Sequence, residues 1–347
     1  MQTLLRRNMA TVEFLAQDPV ASARSGETPH AVLHRQNKLA LRHFAPTSPR
    51  RAPVFISMPL INTWTIFDLL PGRSVIEALV QAGVPVYLVD WGRPGDEDED
   101  RDLAYYVAEL LGRALQRSVR HARDHYGAEH VDAIGYCVGG TFLSMHLARH
   151  TPPAVRRLAL LATPIDFHAS GRLAVWARPE TFPLDTLIDS VGNYPADLMR
   201  ASFSWLKPSG QTGKWFSLWE RSEDPAFREL WAHLEKWAGD NVDFPGEAYR
   251  AYVRGCYFDN ALIRRDSFAT GGGWVLNGSP VDLSRCSIPA LVLAAGSDHI
   301  CPEAAANGLA AAWGGPVTTE TLQGGHVGVC VGKRLPARLL AWIEEAA

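Results

Sequence analysis

The sequence predicts an α/β protein, with a mostly parallel central sheet flanked by helices and a largely helical inserted cap. Three observations carry this expectation. From about residue 31, apolar runs of strand length alternate with segments of helical periodicity. The rhythm stops between about Pro164 and Gly273, where six of the eleven tryptophans gather. It then resumes until about residue 345.

Residues 1–30 show little pattern and read as an extension or a loosely attached helix. Lys38–Phe44 alternates apolar and polar residues, as a half-buried strand does. Pro53–Leu60 reads as a buried strand, and Arg73–Ala82 has helical spacing that stops at Gly83. Val84–Asp90 is a further apolar strand. Leu103–Tyr126 is a long amphipathic helix, with apolar residues at 103, 107, 110, 111, 114, 115 and 119, closed by Gly127. His130–Gly135 is a strand, Val138–Arg149 a helix and Val155–Ala162 a strand. Beyond the cap, Pro289–Ala295 and Val317–Gln323 supply two more strands, with helical patterns after them near 303–312 and 335–345. Strands alternating with helices imply a sheet covered on both faces. The division expected is an extension (1–30), a first core part (31–163), a cap (164–273) and a second core part (274–347). The cap tryptophans are expected mostly to form its own core, with some lining an apolar acyl channel.

The 347 residues are 47% hydrophobic and 20% charged, as in a globular chain. A net charge of −3 gives no basic field for nucleic acid. No apolar run reaches membrane-spanning length, and no secretory signal follows Arg6 and Arg7, so a cytoplasmic protein is expected. The five cysteines include no CxxC pair, which suits free thiols in a reducing compartment. Four of them read as small buried apolar residues. The acidic run Asp96–Asp100 reads as a solvated loop. His121 and His125, four apart on the long helix, lack a supporting carboxylate motif and read as surface residues. No metal site and no cofactor are expected.

The informative segment is Val131–Leu143. A strand runs into Gly135-Tyr136-Cys137-Val138-Gly139, and a helix follows. This is the G-x-S-x-G nucleophile elbow with cysteine in place of serine, which implies an α/β-hydrolase fold. The sharp turn strains the nucleophile, and glycine at 135 and 139 removes side chains that would collide there. Gly140 allows still closer packing of helix on sheet. Cys137 falls at a helix N-terminus, where the dipole favours a thiolate, and the N–H of Val138 points to where an oxyanion would form.

In this fold the acid and then the histidine follow the nucleophile in the chain. Asp298 follows strand 289–295, and His326 follows strand 317–323. Each has a competing account. His299 is a rival base, an aspartate after a strand often only caps the next helix, and a histidine after two glycines can be a plain loop residue. Their order along the chain favours the catalytic set Cys137, Asp298 and His326.

These residues resemble a known family. GYCVGGTFL at 135–143, GSDHICP at 296–302 and GGHVGVCVG at 324–332 are similar to the polyhydroxyalkanoate synthases. So are DWGRP at 90–94, TPIDF at 163–167, DNVDFPGEAYR at 240–250 and NGSPVDL at 277–283, and the likeness covers about residues 31–345. The short length and late segments look most like the class III catalytic subunit, with the long amino-terminal domain of class I expected to be missing. The elbow and PLINT at 59–63 are closer to the class I pattern. The resemblance implies Cys137, Asp298 and His326 as the triad and the N–H of Ile61 as the second oxyanion donor beside Val138. It implies polymerisation of (R)-3-hydroxyacyl-CoA to polyester with release of CoA, through an acyl group on Cys137. The only cofactor chemistry is then the CoA that the substrate carries. It implies a location at the surface of polyester granules, and it leaves open a homodimer and a second, noncatalytic synthase subunit. The rival readings are a thioesterase or other hydrolase on the same fold, and a noncatalytic granule-associated homologue.

Overall fold

The computed structural model describes residues 2–149, 154–264 and 274–345. Its main sheet contains β1 (Ala31–Gln36), β2 (Leu39–Phe44), β3 (Val54–Ser57), β4 (Val86–Asp90), β5 (Val131–Tyr136) and β6 (Val155–Leu161). A small antiparallel hairpin, β7 (Val275–Leu276) and β8 (Ser279–Pro280), precedes β9 (Ala290–Ala295) and β10 (Val317–Leu322), which return to the main sheet. The strand order is β1-β2-β4-β3-β5-β6-β9-β10. β2 runs antiparallel to β1 and β4, and every other neighbouring pair is parallel. Parallel strands bring the carboxyl ends of β5, β9 and β10 to one edge, and the loops after those three ends carry residues 137, 298 and 326.

Burial follows position in the sheet. Every residue of the central strands β3, β5 and β9 is buried, which is why each reads as a mostly apolar run. The helix Val138–Arg149, after β5, is buried from Val138 through Ala148, so it has no solvent face and is not amphipathic. The single carboxylate in β5, Asp132, is fully buried and paired with Arg156 at 2.7 Å and Arg157 at 3.1 Å. Arg157 also donates to the carbonyls of Ile343 and Glu345, which ties the C-terminal helix (Arg334–Glu344) to the sheet.

Several elements differ from the sequence reading. β1 was not expected before Lys38. It is an edge strand with no fully buried residue, so it lacks an apolar signature, and Asn37 at φ 51° turns it back into β2. The long helix opens with a π-helical turn, Tyr105–Leu110, before the regular run Leu111–Tyr126. The acidic run is not wholly solvated: Asp98 is buried, accepting from Asn37 Nδ2 and the Gly95 N–H. His121 is half-buried, bonded to the Tyr87 hydroxyl at 2.8 Å and stacked on His125.

Between β6 and β7 the chain is helical: Arg172–Trp176, Leu184–Val191, Ala196–Leu206, Pro208–Glu220, Pro225–Gly239 and Gly246–Tyr252. Residues 265–273, the end of the expected cap, lie outside the described residues. Of its six tryptophans only Trp231 and Trp237 are buried, whereas Trp176, Trp205 and Trp215 are exposed. The expectation that they mostly form the cap core therefore fails. Part of that core comes instead from the amino-terminal segment. The helix Gln2–Ala16 lays Phe14 against Trp231 and receives a bond from Trp219 Nε1 at Asn8.

Candidate active site

β5 delivers Cys137 at φ 51°, a left-handed conformation that costs an ordinary residue strain energy. Close approach on three sides holds it there. A Cβ at Gly139 would strike the Met58 carbonyl, one at Gly140 would strike Thr163 Oγ1, and one at Gly135 would strike the Cα of Gly140. The elbow is thus wedged between the end of β3, the chain after β6 and its own helix. The N–H of Cys137 donates to Leu161 O at 3.0 Å, and Cys137 O accepts from the N–H of Gly140 at 2.9 Å.

β9 ends at Ala295, and Asp298 folds back beneath the turn that follows. Its Oδ1 accepts from the N–H groups of Ile300 and Cys301 at 2.8 and 2.9 Å. Its Oδ2 lies 2.7 Å from His326 Nδ1. Both accounts of Asp298 hold together: it caps the local turn and orients the imidazole. A carboxylate only accepts, so Nδ1 is the protonated nitrogen and Nε2 is free for the thiol. His326 lies near enough to Cys137 for the two side chains to interact electrostatically. The Tyr136 hydroxyl donates to His326 O at 3.3 Å, which anchors the histidine loop to the elbow strand. His299, the rival base, is exposed.

Electrostatics distinguish this thiol's surroundings from those of the other cysteines. Burial alone would lower the His326 pKa, but the Cys137 sulfur and the Asp298 carboxylate outweigh it and raise it to about 10. An imidazolium is therefore favoured beside Cys137. Burial pushes the thiols of Cys256, Cys301 and Cys330 up, toward the inert neutral form.

Cys137 opens on a cavity of about 140 Å³. Ile61 and Val138, the residues whose N–H groups are the expected oxyanion donors, line the same cavity. The loop that carries Ile61 is tied down at three carbonyls. Met58 O accepts from Trp91 Nε1 at 2.7 Å, Ile61 O from the N–H of Val242 at 3.2 Å, and Thr63 O from Trp237 Nε1 at 2.9 Å. Two of those three donors come from the cap. The rest of the lining is apolar and aromatic and includes Phe182, Phe203, Tyr194, Tyr249, Tyr252 and Tyr257. Trp176 is the one cap tryptophan in it. Sequence reasoning looked to tryptophans for the channel and missed the tyrosines. Their signal lay in the segment after Pro245, where tyrosines recur at 249, 252 and 257.

The strand order, the elbow and the two following loops define a protein of the α/β-hydrolase class, with cysteine at the elbow. The sequence profile of the alpha/beta hydrolase fold matches residues 68–331. A hydrolase of known structure from Pseudomonas aeruginosa superposes with a TM-score of 0.51 at 17% identity, covering 93% of this chain and 100% of that one, which is a likeness of fold. The poly(3-hydroxyalkanoate) polymerase subunit PhaC of Allochromatium vinosum is 31% identical over 332 residues, 92% of this chain and 90% of the relative. The polymerase subunit of the same name from Haloferax mediterranei is 31% identical over 326 residues, 91% of this chain but 63% of that longer relative. The chain belongs to the poly(3-hydroxyalkanoate) polymerase PhaC family. Among the described residues, no helix is long and apolar enough to cross a membrane.

Proposed function

We propose that this protein polymerises (R)-3-hydroxyacyl-CoA into polyester through an acyl thioester on Cys137. One observation carries the reading: a strained cysteine, a histidine and a buried aspartate meet at the floor of an apolar cavity. In the first step the Cys137 proton is held by His326 as an imidazolium, and the thiolate attacks the thioester carbonyl. The N–H groups of Val138 and Ile61 hold the oxyanion, an interaction worth on the order of 10²–10³ in rate per donor. The carbon–sulfur bond to CoA breaks, and His326 returns the proton to the departing thiolate. The 3-hydroxyl of another acyl unit then attacks the carbonyl on Cys137, with His326 as base or Asp298 taking part in activating that hydroxyl, and the ester forms as the carbon–sulfur bond to Cys137 breaks and the thiol is regenerated. Exchange of one thioester for another is nearly neutral in energy, so the acyl group stays activated. The cap excludes the water that would hydrolyse it.

The test is incubation with 3-hydroxybutyryl-CoA. The wild-type chain releases CoA and deposits insoluble polyester, whereas Cys137→Ala does neither and carries no acyl group by mass spectrometry. CoA release with only free 3-hydroxybutyrate as product would make the protein a thioesterase. From the family resemblance alone we also propose self-association and a noncatalytic partner subunit, which light scattering during turnover and co-purification would read.

A further inference from the structure

The acyl cavity holds more hydroxyl groups than an apolar ligand needs. Among the described residues it is lined by four tyrosines and one serine. Ser202 spends its hydroxyl on Leu198 O, one turn back in its own helix. Tyr194 and Tyr249 stack in parallel at 4.2 Å and are close enough to bond one another. The remaining two, Tyr252 and Tyr257, meet edge-on with ring centroids 6.0 Å apart and line the same cavity as Cys137. Two phenols that share one hydrogen bond use one of their two protons, and the other is left for a ligand. Burial raises both above the ordinary phenol range, so they stay protonated donors. Their rings are fixed by edge contacts: Phe167 meets Tyr252 at 5.6 Å and Tyr257 at 4.9 Å.

The geometry points to the Tyr252–Tyr257 pair as the group that recognises the hydroxyl on the third carbon of the acyl unit. This rests on the function proposed above. Once the acyl carbon is bound to Cys137, that hydroxyl lies only two carbon–carbon bonds further into the cavity. Buried there without a partner, it would lose its hydration. The phenol pair returns that hydrogen bond, whereas a plain acyl chain leaves the spare phenol donor unmet.

The experiment compares CoA release in the first turnover from 3-hydroxybutyryl-CoA and from butyryl-CoA, in the wild type, Tyr252→Phe and Tyr257→Phe. Phenylalanine keeps the ring and its packing. The wild type is expected to prefer the hydroxylated substrate by on the order of 10- to 100-fold. At least one variant is expected to lose most of that preference, its rate with 3-hydroxybutyryl-CoA falling by much more than its rate with butyryl-CoA. Variants that keep the wild-type ratio overturn the assignment, as do variants slowed equally on both substrates, which would mean a packing role. A wild-type protein that releases CoA from neither substrate overturns the proposed function itself.

Discussion

Replacing Gly140 with alanine tests why the elbow needs its third glycine. The new Cβ would collide with Thr163 Oγ1, lie 2.8 Å from Cγ2 and 3.0 Å from Cβ of the same residue. Thr163 cannot retreat easily. It is fully buried, and its hydroxyl donates to Leu161 O at 3.1 Å. The elbow helix, buried along nearly its whole length, is just as confined. Overpacking of this kind costs about 1–3 kcal/mol. Thr163→Ala alone loses a buried hydrogen bond and a methyl group, about 1–2 kcal/mol. It also removes two of the three clashing atoms, so the double variant is expected to be more stable than the sum of the singles by about 1 kcal/mol or more. Urea unfolding of the four proteins measures that coupling. Alkylation of Cys137 by iodoacetamide provides a second reading, because a helix pushed away from Thr163 carries Val138 and the sulfur with it. Additivity of the two changes within about 0.5 kcal/mol would refute the steric account of Gly140.

Three further outcomes follow from the geometry. In Asp298→Asn the side-chain oxygen must stay with the N–H groups of Ile300 and Cys301, which puts an N–H donor opposite His326 Nδ1. The ring then carries its proton on Nε2, and polymer formation should fall on the order of 10³–10⁴, whereas a loss under tenfold would contradict the tautomer argument. Because the His326 pKa is raised from 6.5 to about 10, its protonation contributes stability that is fully present below pH 6.5 and is lost as pH climbs through 10. The stability gap between wild type and His326→Gln should therefore narrow across that window in urea titrations, and a constant gap would remove the charge from the site. Asp132→Ala leaves the buried Arg157 without its carboxylate and should cost about 3–5 kcal/mol in urea unfolding, and a loss below about 1 kcal/mol would show that the carbonyls of Ile343 and Glu345 suffice.

The sheet was legible because its central strands are buried on both faces and so consist mostly of apolar residues. β1 escaped because an edge strand needs no such pattern. Cys137, Asp298 and His326 could be read from turn chemistry: glycines where backbones nearly touch, and polar residues just past strand ends. The cap was recognised only as an interruption. Its helices pack partly on the distant amino-terminal helix, so neither the exposure of Trp205 and Trp215 nor the role of Phe14 could be judged locally. The cavity tyrosines stayed hidden for a related reason. Tyr249 and Tyr252 lie on a regular helix, while Tyr257 follows within a π-helical stretch that changes the phase of the face.

Trp237 and Val242 grip the loop bearing Ile61, so the roof and the proposed oxyanion donor cannot move independently. Any swing of the cap wide enough to break the Trp237–Thr63 bond also slackens the peptide meant to steady the negative oxygen. On the mechanism proposed above, an opened cap would for that reason leave a poor catalyst, for alcohol and water alike. The same tether would then protect a chain attached to Cys137 during the moments when solvent can enter.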